Sequence, residues 1–289
     1  MKRIKSGWQL TKKSWGILSD EPGLIKFPIV GGVIALLIAI VLIAPGLYFL
    51  EADPVALGVV LVAVGTYLSA FVVYYFAVAL AHNADRRMQG EQVEFKDGMA
   101  LASSRMSAIA GWAFIATVVM TVIRAIQERF GIAGAILGGL AGAAWGVLSF
   151  LAVPVIAIEG TGPISTLKRC GNLVKSGWGE QITGTIAIGG IVFLLGFLPA
   201  VLFIIAGAFI FSTTAAGGGI LIAFGIVVLV VAALIQQALS TIFGVALYRW
   251  VSNKQAIGGF TAEEMQSAVR TKKGSLGGPG MPPTSASTV

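Results

Sequence analysis

Residues 163–181 read PISTLKRCGNLVKSGWGEQ, and their spacing decides how the rest of the chain is read. Ile164, Leu167, Gly171, Val174 and Trp178 recur at intervals of three and four, while Lys168, Arg169 and Lys175 stand elsewhere on the same wheel. The pattern predicts an amphipathic helix. A long apolar run follows at once, so the stretch reads as a helix lying on a membrane surface before the chain turns into the bilayer.

Composition says the same of the whole chain. Of 289 residues 56% are hydrophobic and 11% charged, against roughly 25% charged in an ordinary soluble domain. Thirty-eight glycines and a mean hydropathy of +0.89 fit packed transmembrane helices. A single Cys excludes an internal disulfide, and with a single His it leaves no tetrahedral His/Cys metal site. No metal or other cofactor is expected. The net charge of +7 points to lipid headgroups rather than nucleic acid, because bases beside spans ordinarily set topology.

Working outward, the hydropathy pattern places six spans at about residues 29–50, 55–81, 107–126, 132–158, 182–211 and 220–248. The predicted fold is all-α and polytopic, with a transmembrane domain over 1–255 and a tail over 256–289 that is disordered from about 271. Pro45 and Pro199 are the expected kinks of the first and fifth spans. Arg105 and Arg124 bracket the third span and are expected to snorkel to opposite interfaces. The apolar run beginning at Ile29 is longer than a secretory h-region, which argues against cleavage of a leader.

Two further stretches share the opening plan. Ile4, Trp8, Trp15 and Leu18 fall on one face before the first span, and Phe95, Met99, Ala102, Met106 and Ile109 do so before the third. Each pair of spans is thus preceded by an amphipathic helix with a Trp nearby: Trp15, Trp112 and Trp178. This reads as three pseudo-repeats of a surface helix plus a helical hairpin. Eighteen Lys and Arg fall on the side of these helices and both termini, against Arg124 and Arg129 alone on the other. By the positive-inside rule both termini are cytoplasmic, with the plasma (inner) membrane as the expected location.

Chemistry is sparse. Gly134, Gly138, Gly142 and Gly146 stand four apart and predict a face of the fourth span that packs closely against another helix. Gln236 and Gln237 are the most polar intramembrane pair; they could line a solute path, though such amides more often hydrogen-bond across helices. His82, Asp85 and Glu159 could meet at one surface as an acid–base site, but polar residues must appear where spans leave lipid. Cys170, beside Lys168 and Arg169, could have a lowered pKa or carry a palmitoyl chain, with a passive small residue the plainer reading. None of these forms a catalytic constellation, so the protein is expected not to be an enzyme.

At Gly7-Trp8-Gln9-Leu10, Lys13-Ser14-Trp15, Leu18, Asp20, Leu24 and Phe27-Pro28, and again at Pro154, Glu159-Gly160, Gly162-Pro163 and Trp178-Gly179-Glu180, the chain resembles a family of uncharacterised prokaryotic six-span membrane proteins. The layout is more weakly similar to the membrane domain of some glycerophosphodiester phosphodiesterases, whose catalytic domain has no counterpart here. The resemblance implies an architecture and no catalytic residues. The expected role is to organise anionic lipid, a membrane-protein partner or a second copy through the three surface helices. Lys12, Lys13, Lys168, Arg169 and Lys175 are the expected lipid contacts. The alternative is a permease or channel for an uncoupled solute.

Overall fold

A bilayer's apolar thickness of about 30 Å requires roughly 20 residues of helix, and that requirement sets the longest elements here. The computed structural model describes residues 2–175, 192–211 and 214–269, and every element among them is helical. Helix α1 (Lys2–Asp20) and a 3-10 turn (Pro22–Ile25) lead into the first span, built from α2 (Lys26–Ile38), a π-turn (Ala39–Ile43) and α3 (Ala44–Glu51). Helix α4 (Val55–Met88) returns. The short α5 (Phe95–Ser104) then precedes the hairpin α6 (Met106–Arg129) and α7 (Gly131–Glu159). After α8 (Pro163–Leu173) come a π-turn (Phe193–Phe197), α9 (Leu198–Phe211), α10 (Ala215–Asn253) and α11 (Ala262–Val269). Six of these stretches are long and apolar enough to cross a membrane. The chain is a multi-pass membrane protein.

Both distorted spans are explained by proline. A proline ring removes one helical N–H and presses on the carbonyl four residues earlier, which a wider π-turn relieves. The π-turn Ala39–Ile43 ends two residues before Pro45, and Phe193–Phe197 ends two residues before Pro199. Pro154, by contrast, sits inside α7 without interrupting it.

The core lies at one end of the bundle. Helix α4 runs 34 residues, about 51 Å at 1.5 Å per residue, and is longer than the bilayer needs. Its residues 76–81 are buried on every side, as are residues 241–248 of α10. Such all-round burial needs a covering layer. It is supplied by α1, the 3-10 turn and α5, with α8 on the ends of α6 and α7 and α11 on α1. Toward the other end, α3, α9 and the outer halves of α4, α7 and α10 bury mainly small residues. Gly46, Gly58 and Gly65 close the first hairpin, Gly134 and Gly138 the second, and Gly207, Gly218 and Gly225 the third.

Several expectations change. Helix α1 turns Leu10, Thr11, Ser14 and Leu18 inward, whereas Trp8 and Trp15 project at 52% and 49% exposure. Helix α8 buries Thr166, Cys170 and Leu173, with Leu167 and Val174 at the edge and Ile164 exposed, so its inner face is rotated from the expected apolar stripe. Both helices bury one face against the bundle and leave Trp8, Trp15 and Ile164 exposed on the other, so apolar residues occur on two faces. The stretch 95–109 breaks at Arg105, whose backbone leaves helical geometry. Trp112 is fully buried and stacked on Trp145 at 5.5 Å, so it is not an interfacial counterpart of Trp15. Trp178, residues 182–191 of the fifth span and the tail from 270 lie outside the described residues. The core itself continues past residue 255, since Phe260 and Met265 are buried in it.

Candidate functional site

The charged residues at the core end form a layer that ties helices together. The α10 residue Arg249 donates from Nε and Nη2 to the two carboxylate oxygens of Asp85 on α4, at 2.8 and 2.6 Å. Its neighbour Tyr248 donates to Glu159 at the end of α7, and Arg169 of α8 donates to the same carboxylate oxygen at 2.7 Å. Successive helix residues point about 100° apart, which lets one turn of α10 hold two other spans. Asp85 also accepts from Gln89 Nε2, and Asn83 Nδ2 donates to the Glu94 carbonyl beside the start of α5. Arg105 does not snorkel outward. Its guanidinium packs on Gly160, where φ of +67° and the absence of a Cβ are both required.

These contacts draw Glu159 away from His82 and Asp85, with which it could have formed an acid–base site. The charges around His82 are Arg86, Asp85, Asp97 and Glu91, while Glu159 belongs to the Tyr248–Arg169 cluster. Cys170 is buried, and burial together with the nearby Glu159 charge pushes its thiol up to about 12. That overturns a lowered pKa. It also removes the accessible sulfur that acylation requires. Among the described residues no cluster of His, Cys, Asp and Glu is placed to hold a metal ion.

Of the five bases expected to meet lipid, two are engaged by protein. Lys13 Nζ donates to the Gly259 carbonyl and to Glu264, fixing α11 on α1, and Arg169 is bound to Glu159. Lys12, Lys168 and Lys175 are exposed. Of the glycine face on α7, Gly134 packs on the Ile126 carbonyl and Phe130, and Gly138 on the Gln127 side chain. Among the described residues Gly142 and Gly146 have nothing within 4 Å of where a Cβ would stand, so the close packing seen there stops two turns short of the expected face. Gln236 Nε2 donates to Ser240 on its own helix at 2.9 Å, not across helices, and its Oε1 is buried without a partner. Gln237 is half-buried beside it.

Two adjoining clefts lie beneath α1, on either side of α10. One, of about 350 Å³, is lined by Trp8, Lys12 and Trp15 of α1, Leu195 and Gly196 of the π-turn before Pro199, and Ala232, Ile235 and Leu239 of α10. The other, of about 320 Å³, is bounded by Trp15, Leu18, Pro22, Ile25 and Ile29 and by Val231, Leu234 and Ile235. Trp15 and Ile235 form the ridge between them. Sequence reasoning placed Trp8 and Trp15 on α1 but could not place α10 beneath them, because nothing local encodes that contact.

A family model described as a family of unknown function (DUF6159) matches residues 59–259. No curated protein and no solved structure matches the chain. The match includes the stretch from Pro154 to Pro163 and Trp178-Gly179-Glu180, while the motif from Gly7 to Pro28 precedes it. The description carries neither a span count nor a link to glycerophosphodiester phosphodiesterases.

Proposed function

The chain belongs to this family of unknown function, and with no activity to inherit we propose that it works without catalysis, gathering anionic lipid beneath a basic cytoplasmic surface of the inner membrane. One observation carries the reading. At the end of the bundle that holds the core, Asp85, Glu159 and Glu264 are each engaged by a base, while Lys12, Lys168 and Lys175 remain exposed on helices packed against that end. Each Lys or Arg held near an anionic membrane surface contributes about 1 kcal/mol of attraction. The eighteen-to-two distribution of bases supports a cytoplasmic position for this end and for both termini.

The test is lipid retention. Native mass spectrometry of the purified chain, equilibrated with phosphatidylcholine and phosphatidylglycerol, is expected to show preferential retention of the anionic lipid. Lys168→Gln with Lys175→Gln should reduce that preference while leaving the spans inserted. A wild-type chain that retains both lipids equally overturns the proposal.

A permease is the second reading, favoured by buried hydrogen-bonding atoms without partners within the spans, at Ser69, Thr117, Ser149 and Gln236 on α4, α6, α7 and α10. It requires a water path at that depth. Cysteines substituted at 69 and 149 would then react with a small membrane-impermeant thiol reagent; protection of both sinks this reading.

A further inference from the structure

Resting on the lipid-gathering reading, the geometry points to one particular site: the paired clefts under α1 hold a single two-chained anionic phospholipid, one acyl chain on each side of the Trp15–Ile235 ridge and the phosphate at Lys12. Three features match this ligand and not a free anion. The clefts are almost wholly apolar, of similar size, and separated by one ridge, as two chains leaving a common glycerol demand. They open toward lipid, since Leu195, Val231 and Ile29 in their walls are exposed. Trp8, Lys12 and Trp15 follow at four and three residues and so share one stripe of α1. The stripe sets one cation between two indoles, the side chains that favour the headgroup level.

The charge is complementary as well. Lys12, in the wall of the first cleft, is the charged side chain among the described residues lining the two, and neighbouring Lys13 is turned away into its contact with Glu264. An acidic headgroup there meets an ammonium that takes part in no ion pair among the described residues. The occupant is a phospholipid of the membrane itself, of the anionic class.

Two variants of the full chain test it by native mass spectrometry with the same phosphatidylcholine and phosphatidylglycerol mixture. Lys12→Gln is expected to weaken phosphatidylglycerol retention about fivefold, the effect of one lysine at an anionic surface, with phosphatidylcholine unchanged. Leu195→Trp, at an exposed position in the cleft wall, fills the space and should reduce retention of both lipids. If both variants retain phosphatidylglycerol as wild type does, the site is overturned, including the case in which Leu195→Trp shifts thermal stability because a segment of the chain itself occupies the cleft. If wild type prefers phosphatidylglycerol and only the Lys168 and Lys175 variant loses that preference, this site falls while the broader reading stands. Equal retention of both lipids by wild type removes the broader reading.

Discussion

Asp85 and Arg249 stand 164 residues apart in sequence and meet through two hydrogen bonds. Their side chains are 8% and 19% exposed, so water does little to replace either partner. Removing one member of such a pair leaves an uncompensated charge, and Asp85→Asn should cost about 3 kcal/mol. Tyr248→Phe removes a single hydrogen bond to Glu159, which keeps Arg169, and should cost about 1 kcal/mol. Thermal unfolding in detergent separates the two. The double variant Asp85→Leu with Arg249→Met should recover most of the single-variant loss, because replacing both partners by apolar groups removes the stranded charge. No recovery would mean that the charges do more than join α4 to α10. Neither partner announces itself in the sequence, since charged residues end most spans and nothing local says which end meets which.

At the scale of the helix, the bilayer made the spans legible and concealed how they pack. A run of apolar residues long enough to span is visible in any window, and all six were. The packing face is harder, because a lipid-facing residue and a core residue are both apolar. The four-residue glycine ladder of α7 is the more visible pattern, yet two other spans pack on their hairpin partners through glycines seven residues apart. Gly58 and Gly65 of α4 face α3 and its preceding π-turn, and Gly218 and Gly225 of α10 face α9. Seven-residue spacing is the seam of a left-handed helix pair. A Cβ at Gly58 would lie 2.7 Å from backbone atoms of Phe49 and Leu50, and one at Gly218 would lie 2.5 Å from the Phe211 backbone. Backbone cannot step aside as a side chain can. Gly58→Ala and Gly218→Ala should each destabilise by about 1–3 kcal/mol, whereas Gly142→Leu, facing open space, should leave the detergent melting temperature unchanged. Equal losses in all three would refute the assignment.

The short α11 answers to pH instead of packing alone. Burial raises the Glu264 carboxyl pKa, but the Lys13 ammonium and the Thr261 N–H and hydroxyl outweigh it and hold the group below its ordinary value. A carboxyl depressed in the folded state lends stability above its unfolded pKa of about 4.3 and loses it as pH falls through the folded value. The contact of α11 with α1 should therefore be intact at neutral pH and weaken in acid. Glu264→Gln should be loose at pH 7 and indifferent to acid. Hydrogen exchange over residues 262–269, corrected for intrinsic rates, measures this. An acid transition that persists in Glu264→Gln would place its cause elsewhere.

For the molecule as a whole, the all-α succession of six spans and the asymmetry of charge were readable from sequence. The concentration of the core at one end was not, because it depends on which long helices overrun the bilayer together. Alkaline phosphatase fused after Lys96 should be inactive and after Arg129 active; activity after Lys96 would reverse the assigned topology. The one-ended core also has a mechanical consequence. Contacts between hairpins, such as Gly32 on Leu234, Tyr74 on Trp112 and Gly244 on Phe150, gather toward the core end, while the outermost glycines close each hairpin on itself. The three tips at Ala52, Phe130 and Thr214 should therefore shift with the surrounding lipid while the base stays fixed. Spin-label pairs report this directly, and buried Cys170, with its thiol pushed up to about 12, carries on the order of a thousandfold less thiolate than a free cysteine near neutral pH and leaves the labels specific. Cysteines placed at 52 and 214, or at 130 and 214, should give broad distance distributions that move between detergent and bilayer. A pair at Gln89 and Lys254, both exposed at the core end, should stay narrow in both. Tip distances as narrow and as constant as those at the base would show that the outer halves are joined after all, and would favour a sealed bundle and with it a solute path.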